Sequence, residues 1–454
     1  MQPSLTVLVL SLVLLNLSVQ FSGAADPIAP PQAHDPLPAV AGINVDFGVD
    51  RGPVTHRASG ILHSISSTEP PDNWVMPLQL RAFRGRANNG YLFAPGFYER
   101  LRRLGVQHIQ VVISDNWGYA AQNPWPGDND DWSRWENFVA DLYQQVQARK
   151  LSVEWDIWNE PNHNGFWKRD KDRLFETWRR GVLKLRELDK DAVVVGPSIT
   201  HFDQAYLESF LLYAKAHNVL PDILSWHELS SADGRSIPLP AQQIRAFMAT
   251  HDIHIARLST NEIVPDRLKF SPGVIISYFA GIEAANIESA CRSCWGDGTT
   301  EHPISNCENT SLDGLLTHDT KLPRSAWWAY HAYADISGHL LGFTSSEQFK
   351  VDGLAGYDPQ TKRASLALGS CETKQALNVR LHLTHLDKAV GLVHRGKVRL
   401  QIAIIPATEK EALNQPNIIV DKIVPVQDKT LDILLPNVAP QSALIIKLER
   451  PGKR

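Results

Sequence analysis

The chain has 454 residues, of which 43% are hydrophobic and 21% are charged, a composition typical of a globular rather than a disordered protein. Its 45 Lys and Arg against 49 Asp and Glu give a net charge of -4. Because the sequence has no basic run, nucleic acid is excluded as an expected partner.

The N-terminal segment has the pattern of a secretory signal peptide. Residues 5–19 form an apolar run without a charged side chain, and residues 22–25 are small (Ser-Gly-Ala-Ala). We predict that residues 1–25 are a signal peptide and that the mature protein is secreted and extracellular. A membrane anchor is the alternative. The apolar run is shorter than the ~20 residues that a spanning helix needs, so no stable membrane insertion is expected after cleavage.

A Pro-rich leader, residues 26–41, precedes the folded part of the chain. From residue 59 to residue 342, short apolar or β-branched runs alternate with segments of helical period, as in successive βα units. Eight of these runs are predicted to be strands: Ser59–Ile65, Leu78–Arg84, His108–Ser114, Ser152–Trp158, Ala192–Gly196, Ile223–His227, Ile255–Thr260 and Asn286–Ala290.

The segments between these strands carry apolar stripes with helical spacing. Trp135, Val139 and Val146 lie on one such stripe, and Phe175 and Trp178 begin another. Eight βα units in this length predict an α/β fold, a (β/α)8 TIM barrel over residues 59–342. An open doubly wound sheet is the alternative.

Beyond the barrel the apolar pattern changes to a period of two. Residues 377–381 are one of several segments in which apolar and polar side chains alternate. This pattern predicts a C-terminal antiparallel β-sandwich over residues 343–454. The segment 42–58 holds a further strand, Ile43–Val49, which the barrel does not use, and we expect it to join the sandwich.

Three of the four cysteines lie in one segment after the last predicted barrel strand. We predict a disulfide between Cys294 and Cys307, because their spacing allows an unstrained ring and an oxidising compartment favours pairing. A zinc site of Cys291, Cys294, His302 and Cys307 is the alternative, but the spacing fits no standard pattern and no metal is expected. The sequon at Asn309 predicts glycosylation in an exposed loop.

Two glutamates stand at the carboxyl ends of predicted barrel strands, where the active sites of this fold lie. Glu160 follows the fourth strand within Trp-Asn-Glu-Pro-Asn (158–162), and Glu262 closes Ser-Thr-Asn-Glu (259–262) on the seventh. Two carboxyl groups across one barrel mouth suit glycoside hydrolysis. One protonates the departing oxygen, and the other attacks the anomeric carbon or activates water.

The Trp-Asn-Glu-Pro segment (158–161) resembles the acid/base motif of clan A glycoside hydrolases, whose catalytic strands are the fourth and the seventh. Residues 154–162, the following helix and the appended sandwich are similar to glycoside hydrolase family 39, which includes xylosidases, iduronidases and exopolysaccharide hydrolases. The resemblance implies a retaining reaction with Glu160 as acid/base and Glu262 as nucleophile, and it implies that Asn159 holds the sugar's 2-hydroxyl. The Ile and Val after Glu262 depart from the commoner Thr-Glu-Trp-Asn sequence.

Other strand ends supply candidate substrate contacts. His63 and Arg84, at the ends of the first and second strands, are candidates for binding hydroxyls or a substrate carboxylate. His227 ends the sixth strand, where clan A enzymes often place a His or Tyr beside the nucleophile. The resemblance suggests Trp295, after the eighth strand, as a sugar platform. A packing role is the alternative for both His227 and Trp295.

Four further carboxylates compete with this assignment. Glu228 and Glu288 are rivals of Glu262, because they also lie on or directly after predicted strands. Glu154 and Asp156 lie earlier on the fourth strand, so we expect them in polar layers inside the barrel.

The motifs of other chemistries are missing from the sequence. It contains no G-x-S-x-G, H-E-x-x-H, P-loop or G-x-G-x-x-G, so no cofactor is expected. We therefore predict a secreted retaining glycoside hydrolase whose partner is an oligo- or polysaccharide substrate. A carbohydrate-binding protein that has lost turnover on the same barrel is the alternative. The sequence leaves open the sugar, the linkage, endo or exo action and the oligomeric state.

Overall fold

The structure is a computed structural model that describes residues 40–118, 124–230, 234–298, 302–347 and 350–452. The predicted signal peptide, residues 1–25, and nearly all of the predicted leader, residues 26–41, lie outside the described residues. Both therefore stay predictions.

The first strand, β1 (Val40–Pro53), belongs to a large sheet, and the next eight strands close a parallel barrel in chain order. The barrel strands are β2 (Gly60–Ile61), β3 (Ala82–Gly85), β4 (His108–Val112), β5 (Glu154–Asp156), β6 (Val194–Ile199), β7 (Ile223–Glu228), β8 (Arg257–Ile263) and β9 (Ser289–Arg292). They are buried along most of their length, as expected of strands covered on both faces. The predicted (β/α)8 barrel is confirmed.

The strand boundaries differ from the predicted ones, most clearly in the second barrel strand. Instead of extended chain from Leu78, Met76–Leu78 form a 3-10 turn, and Gln79 takes a left-handed conformation with φ of 47°. The extended chain begins only at Ala82. Leu78 is fully buried all the same. Its apolar character therefore reflects packing against the core and not pairing with a neighbouring strand.

Nine α-helices lie within the described residues: α1 (Asp72–Val75), α2 (Phe97–Arg103), α3 (Ile113–Trp117), α4 (Ser133–Ala148), α5 (Lys171–Leu188), α6 (Gln204–Ala216), α7 (Pro238–Thr250), α8 (Pro272–Ala284) and α9 (Ser325–Ala334). Helix α4 buries the predicted stripe that includes Trp135, Val139 and Val146. The Asp170 side chain caps α5 by accepting a hydrogen bond from the backbone N–H of Arg173 at 2.8 Å. In the part of the chain that the structure covers, none of the helices combines the length and apolarity needed to cross a membrane.

The remaining strands join β1 in a nine-stranded sheet with the order β15-β14-β17-β12-β11-β10-β1-β13-β16. They are β10 (His339–Ser345), β11 (Val351–Asp358), β12 (Arg363–Ser370), β13 (Leu377–Thr384), β14 (Lys397–Ile405), β15 (Asn417–Pro425), β16 (Leu431–Val438) and β17 (Ala443–Glu449). Buried side chains from distant strands, such as Leu381 in β13 and Leu400 in β14, share one core. The sheet therefore folds over itself into two facing layers, the predicted sandwich.

Strand β1 lies between β10 and β13, so the prediction that an early strand joins the C-terminal sheet is confirmed. It runs antiparallel to β10 but parallel to β13. The predicted antiparallel sandwich is confirmed, and the pairing of β1 with β13 is its one parallel pairing among the described strands. Parallel neighbours need a long crossover connection, and here the whole barrel stands between the two strands in sequence.

Helix α8 packs directly on the sheet and joins it to the barrel. The backbone N–H of Gly273 donates to the carbonyl of Gln441 at 2.8 Å. A Cβ atom at Gly273 would lie 2.1 Å from the carbonyl oxygen of Ser370, so only glycine allows this approach. Because α8 follows β8, the sheet supports the part of the barrel that carries Glu262.

Candidate active site

The two predicted catalytic glutamates, Glu160 and Glu262, share one neighbour at the carboxyl end of the barrel. Glu160 comes shortly after β5, Glu262 lies near the end of β8, and His227 lies near the end of β7. The His227 Nδ1 atom is 3.2 Å from Glu160 Oε1, and its Nε2 atom is 3.9 Å from Glu262 Oε1. Each carboxyl group remains partly open, with 13% and 14% of its side chain exposed. The structure thus brings the two glutamates to one partly open space.

The backbone at Glu160 has an unusual conformation. Its φ is 47°, in the left-handed region that residues other than glycine rarely adopt. The Glu160 N–H donates to the Ser198 carbonyl at 2.9 Å, and Pro161 follows directly. Strained backbone of this kind occurs often at functional sites, where the surrounding structure holds it. Here it turns the chain away from β5 at the residue whose side chain faces His227.

Aromatic packing fixes the chain just before Glu160. The indole N–H of Trp158 donates to the Phe166 carbonyl at 3.0 Å. The Trp158 ring lies 4.9 Å from the ring of Trp167 and 5.5 Å from that of Trp135, measured between centroids. Several of the tryptophans thus form a packed wall behind the site, which limits the freedom of the Glu160 backbone.

Arg84, at the end of β3, forms hydrogen bonds with three residues of the site. Its Nε donates to Asp156 Oδ2 at 2.8 Å, and its Nη1 donates to Glu262 Oε1 at 2.9 Å. Its Nη2 donates to Asn159 Oδ1 at 2.8 Å. Only 1% of Arg84 is exposed, and each guanidinium nitrogen already has a protein acceptor. The predicted contact between Arg84 and substrate is therefore corrected to a positioning role.

Asn159, predicted to hold the sugar's 2-hydroxyl, is fixed by two contacts. Besides accepting from Arg84, it donates its backbone N–H to Ser114 Oγ at 2.9 Å. The amide oxygen faces Arg84, so the Nδ2 group points the other way. Its contact with substrate stays a prediction.

Two other carboxylates on β5 form polar layers inside the barrel, as expected from their position on the strand. Asp156 is fully buried and accepts from Ser198 Oγ at 2.9 Å and from Asn261 Nδ2 at 3.0 Å. Burial raises the pKa of Asp156, and Arg84 opposes that rise. Glu154, two residues earlier, accepts from Gln110 Nε2 at 3.2 Å.

The rival nucleophiles are held by other partners. Glu228 accepts a hydrogen bond from the Trp226 indole at 2.7 Å. Glu288 precedes β9 and pairs with Arg257 at 2.5 Å. Because all barrel strands run in parallel, Glu288 lies at the opposite end of the barrel from Glu160. The predicted strand placed it wrongly because β9 begins three residues later than expected, at Ser289 and not at residue 286.

Burial raises the pKa of both catalytic candidates. At Glu160, the positive charges of Arg84 and His163 oppose the rise. At Glu262, His227 and Arg84 oppose it, whereas the charge of Glu160 adds to it. The direct ion pair with Arg84 favours the ionised form of Glu262. Glu262 is therefore the better placed nucleophile, and Glu160 is the better placed proton donor.

His227 is neutral near pH 7, because burial lowers its pKa to about 4. A neutral imidazole carries one N–H, so it cannot donate to both carboxylates at once. Its buried Nε2 has no hydrogen-bond partner in the structure. When Glu160 holds a proton, its O–H donates to Nδ1, and the imidazole proton then lies on Nε2 and faces Glu262. This arrangement agrees with Glu160 as the acid.

One carboxylate of the site was not among the residues predicted from the sequence. Asp115 lies in α3, directly after β4, and its Oδ2 atom is 3.8 Å from His63 Nε2. Its negative charge raises the pKa of both Glu160 and Glu262, so it lies within electrostatic reach of both. Its place at a strand end, where polar residues of this fold tend to be functional, was the available signal.

The loop after β9 contains the predicted disulfide. Cys294 and Cys307 are bonded, with 4.9 Å between their Cα atoms, so this pairing is confirmed. It removes two of the four ligands that the zinc alternative requires. Cys291 and Cys371 are buried and lie outside this disulfide.

Trp295 lies next to this disulfide and is half-buried. Its indole N–H donates to the Val264 carbonyl at 2.8 Å, two residues after Glu262. The side chain therefore links the loop after β9 to the end of β8. The sugar-platform role of Trp295 stays a prediction.

Asn309 is half-buried and not exposed as the sequon suggested. Its Nδ2 donates to Asn306 Oδ1 at 3.1 Å, and its Oδ1 accepts from Ser64 Oγ at 3.3 Å. The glycosylation of Asn309 stays a prediction.

Comparisons with known proteins agree with this site. The family model for glycosyl hydrolases family 39 matches residues 123–262, a range that includes both Glu160 and Glu262. Among solved structures, the fold is similar to that of N2152 from Neocallimastix frontalis. The TM-score is 0.76 at 21% identity, and the match covers 91% of this chain and 100% of that one.

Two curated relatives are arabinofuranosidases. The chain is 25% identical over 207 residues to the 3-O-alpha-D-galactosyl-alpha-L-arabinofuranosidase of Bifidobacterium longum subsp. longum, a match covering 44% of this chain and 17% of the relative. It is 24% identical over 231 residues to the 3-O-beta-L-arabinopyranosyl-alpha-L-arabinofuranosidase of Bifidobacterium pseudocatenulatum. That match covers 48% of this chain and 22% of the relative. The chain thus spans less than a quarter of the length of these relatives. The part of the barrel that carries Glu160 and Glu262 is therefore similar to glycosyl hydrolases family 39, and the fold of the chain is that of the solved structure from Neocallimastix frontalis.

Proposed function

We propose that the protein hydrolyses O-glycosidic bonds with retention of anomeric configuration, with Glu160 as acid/base and Glu262 as nucleophile. The observation that carries this proposal is the pair of carboxyl groups on either side of the His227 imidazole, 3.2 Å and 3.9 Å from its two nitrogens. The pair supplies the proton donor and the nucleophile that a double displacement needs, and the similarity to glycosyl hydrolases family 39 favours retention.

The reaction runs in two steps. Glu160 gives its proton to the glycosidic oxygen while the Glu262 carboxylate attacks the anomeric carbon, so the bond to the leaving group breaks and a glycosyl ester forms. Glu160, now ionised, then takes a proton from water. The water oxygen attacks the same carbon and releases Glu262. Two inversions at one carbon give net retention.

Arg84 and His227 keep the two carboxylates in their different roles. Arg84 stabilises the ionised Glu262, as nucleophilic attack requires. His227 contacts Glu160 and is neutral. It therefore adds no positive charge that would favour the ionised form of Glu160. The site is thereby prepared for one protonated and one ionised glutamate.

The substrate that we propose is a glycoside of a neutral sugar, with α-L-arabinofuranosides as the first candidates. Both curated relatives carry names that specify an arabinofuranose bearing a second sugar. The local charge supports a neutral glycone, because Asp115 adds a third carboxylate near Glu160 and Glu262 and disfavours a uronate.

The proposal is tested by following the first-formed product with NMR. A panel of aryl glycosides that includes 4-nitrophenyl α-L-arabinofuranoside identifies the hydrolysed glycone. The product's anomeric proton is then recorded before mutarotation. We expect the anomer of the substrate. The opposite anomer would refute the double displacement, and no hydrolysis of any glycoside would refute the enzymatic function.

The pH profile of kcat/KM is expected to be bell-shaped. Activity falls at acid pH as Glu262 takes up a proton and at alkaline pH as Glu160 loses one. Burial raises the pKa of both, so both limbs lie above the ordinary range of a glutamate. The His227→Gln variant should lower the maximum and retain both limbs, because His227 has already lost its charge well below pH 7. Disappearance of a limb in that variant, with circular dichroism unchanged, would assign that limb to His227.

We also propose that the protein acts outside the cell. The predicted signal peptide suggests it, and the bond between Cys294 and Cys307 is of the kind that oxidising compartments favour. N-terminal sequencing of protein recovered from the medium of expressing cells tests this. A mature chain that still begins at Met1, or protein found only inside the cells, would contradict it.

A further inference from the structure

We propose that the cavity beside His63 is a second glycone subsite, which holds a neutral sugar attached to the sugar under attack. This cavity has a volume of about 670 Å³ and is lined by His63, Asn88, Asn89, Tyr91, Glu308 and Thr310 among others. The inference rests on the proposed function, because it assigns the cavity a place along the same substrate. A terminal disaccharide is then the unit that the enzyme recognises.

One residue that lines the cavity, His63, lies close to the catalytic groups. That side chain lines the cavity and lies 3.8 Å from Asp115, which in turn influences both Glu160 and Glu262. Gly85, at the end of β3, leaves room for the ring, because a Cβ atom there would be 2.9 Å from His63 Nδ1. The His63 ring is thus next to both the cavity and Asp115, the carboxylate that influences the catalytic pair.

The position of the cavity around the barrel assigns it to the glycone side. The lining residues come from the loops after β2, β3 and β9, and β9 lies opposite β5 in the closed eight-stranded order. Glu160, which follows β5, must contact the glycosidic oxygen, so the leaving group lies on the β5 side. The far side of the attacked sugar therefore faces the loops after β2, β3 and β9. Whatever is attached there extends into the cavity.

The ring of Tyr91 is held in place at the edge of this cavity. Its centroid lies 5.7 Å from that of His63 in an edge-to-face arrangement, and the Arg86 guanidinium lies 6.0 Å from it. The loop that carries it is ordered by hydrogen bonds from the N–H groups of Tyr91 and Phe93 to the Asn88 carbonyl, at 3.0 Å and 2.9 Å. A fixed aromatic face is a stacking surface for the C–H side of a sugar ring.

The remaining lining suits an uncharged ligand rich in hydroxyls. The side chains of Asn88 and Asn89 are exposed and offer amide donors and acceptors. The only ionised group named among the lining residues is Glu308, and it already has Arg86 at 3.7 Å. A uronate would add a second negative charge beside Glu308. The volume falls in the ~300–1,000 Å³ range of small-molecule sites and has room for one sugar ring with water.

The experiment compares a monosaccharide glycoside with the same glycoside extended by one sugar. The probes are the aryl glycoside hydrolysed in the panel above and its 3-O-galactosyl and 3-O-arabinopyranosyl derivatives. We expect a higher kcat/KM for at least one extended probe. We expect Tyr91→Ala to lower kcat/KM for that probe about 10-fold more than for the unextended glycoside, because stacking is lost. Tyr91→Phe keeps the ring and should keep the preference.

Titration calorimetry with the free disaccharide and monosaccharide gives a readout that does not need turnover. Tighter binding of the disaccharide that Tyr91→Ala weakens and Tyr91→Phe retains supports the subsite, even if no glycoside in the panel is hydrolysed. Equal affinity for both sugars, or equal losses on both probes, would overturn the subsite while leaving the catalytic assignment intact. A larger gain from a uronic acid extension than from the neutral ones would overturn the neutral specificity.

Discussion

The Glu160→Gln variant is expected to lose about 10²–10⁴-fold in kcat on glycosides with an alkyl leaving group. Such a leaving group departs as an alkoxide unless it receives a proton, and Gln has none to give. A 2,4-dinitrophenyl glycoside needs little protonation, so its glycosylation step should lose far less. Steady-state kinetics on the two substrates, together with binding of a sugar ligand by calorimetry, measure the effect. The affinity for the ligand should stay close to that of the native protein.

A matched control is the Glu288→Gln variant. Glu288 is also a glutamate of the barrel, but it pairs with Arg257 at the end opposite the active site. It should retain native kinetics on both substrates. Equal losses in the two variants would show that the loss in Glu160→Gln comes from altered folding and not from a missing acid. A loss that does not depend on the leaving group would contradict the acid role.

The same two variants distinguish the two functions that the sequence allows, a glycoside hydrolase and a carbohydrate-binding protein without turnover. A binding protein would bind sugar in both variants and turn over substrate in neither, nor in the native chain. Ile263 and Val264, which depart from the commoner Trp-Asn after the glutamate, leave the position of the Glu262 carboxylate undisturbed. Ile263 is buried, and Glu262 still meets Arg84 at 2.9 Å.

The barrel was predictable because its signals are local. Each βα unit shows a short apolar run followed by a helical stripe, and α4 and α5 bury the residues of their predicted stripes. The pairing of β1 was not predictable in the same way. Strand β10 lies almost 300 residues further along the chain, and β13 lies further still. No local sequence pattern specifies a pairing partner at such a distance.

The catalytic pair was predictable from its position at strand ends, but the groups that hold it were not. Arg84 reaches acceptors that lie 72, 75 and 178 residues away along the chain. Its position near the end of a strand made a substrate contact equally reasonable. Only the geometry shows that the guanidinium is buried and already paired. Asp115 could have been predicted from its position, because it directly follows the predicted strand His108–Ser114.

Replacement of Arg84 is expected to have the largest effect on stability. Arg84→Met removes the cation between Asp156, which is fully buried, and Glu262, of which 14% of the side chain is exposed. Leaving a buried carboxylate without its partner costs about 3–5 kcal/mol. Urea unfolding at pH 7 measures the loss in the free energy of unfolding. Arg84→Lys should recover little of it, because a single ammonium cannot reproduce a planar fork that reaches three acceptors.

The pH dependence and a second substitution test whether charge is the cause. Without Arg84, burial keeps raising the pKa of Asp156 with no cation to oppose it, so its folded-state pKa lies further above the unfolded value. A raised carboxyl pKa makes stability fall as pH rises through that range. The deficit of Arg84→Met should therefore shrink on acidification, and adding Asp156→Asn should reduce it at pH 7. A deficit that is the same at all pH values and unaffected by Asp156→Asn would mean that lost packing, and not an unpaired charge, destabilises the variant.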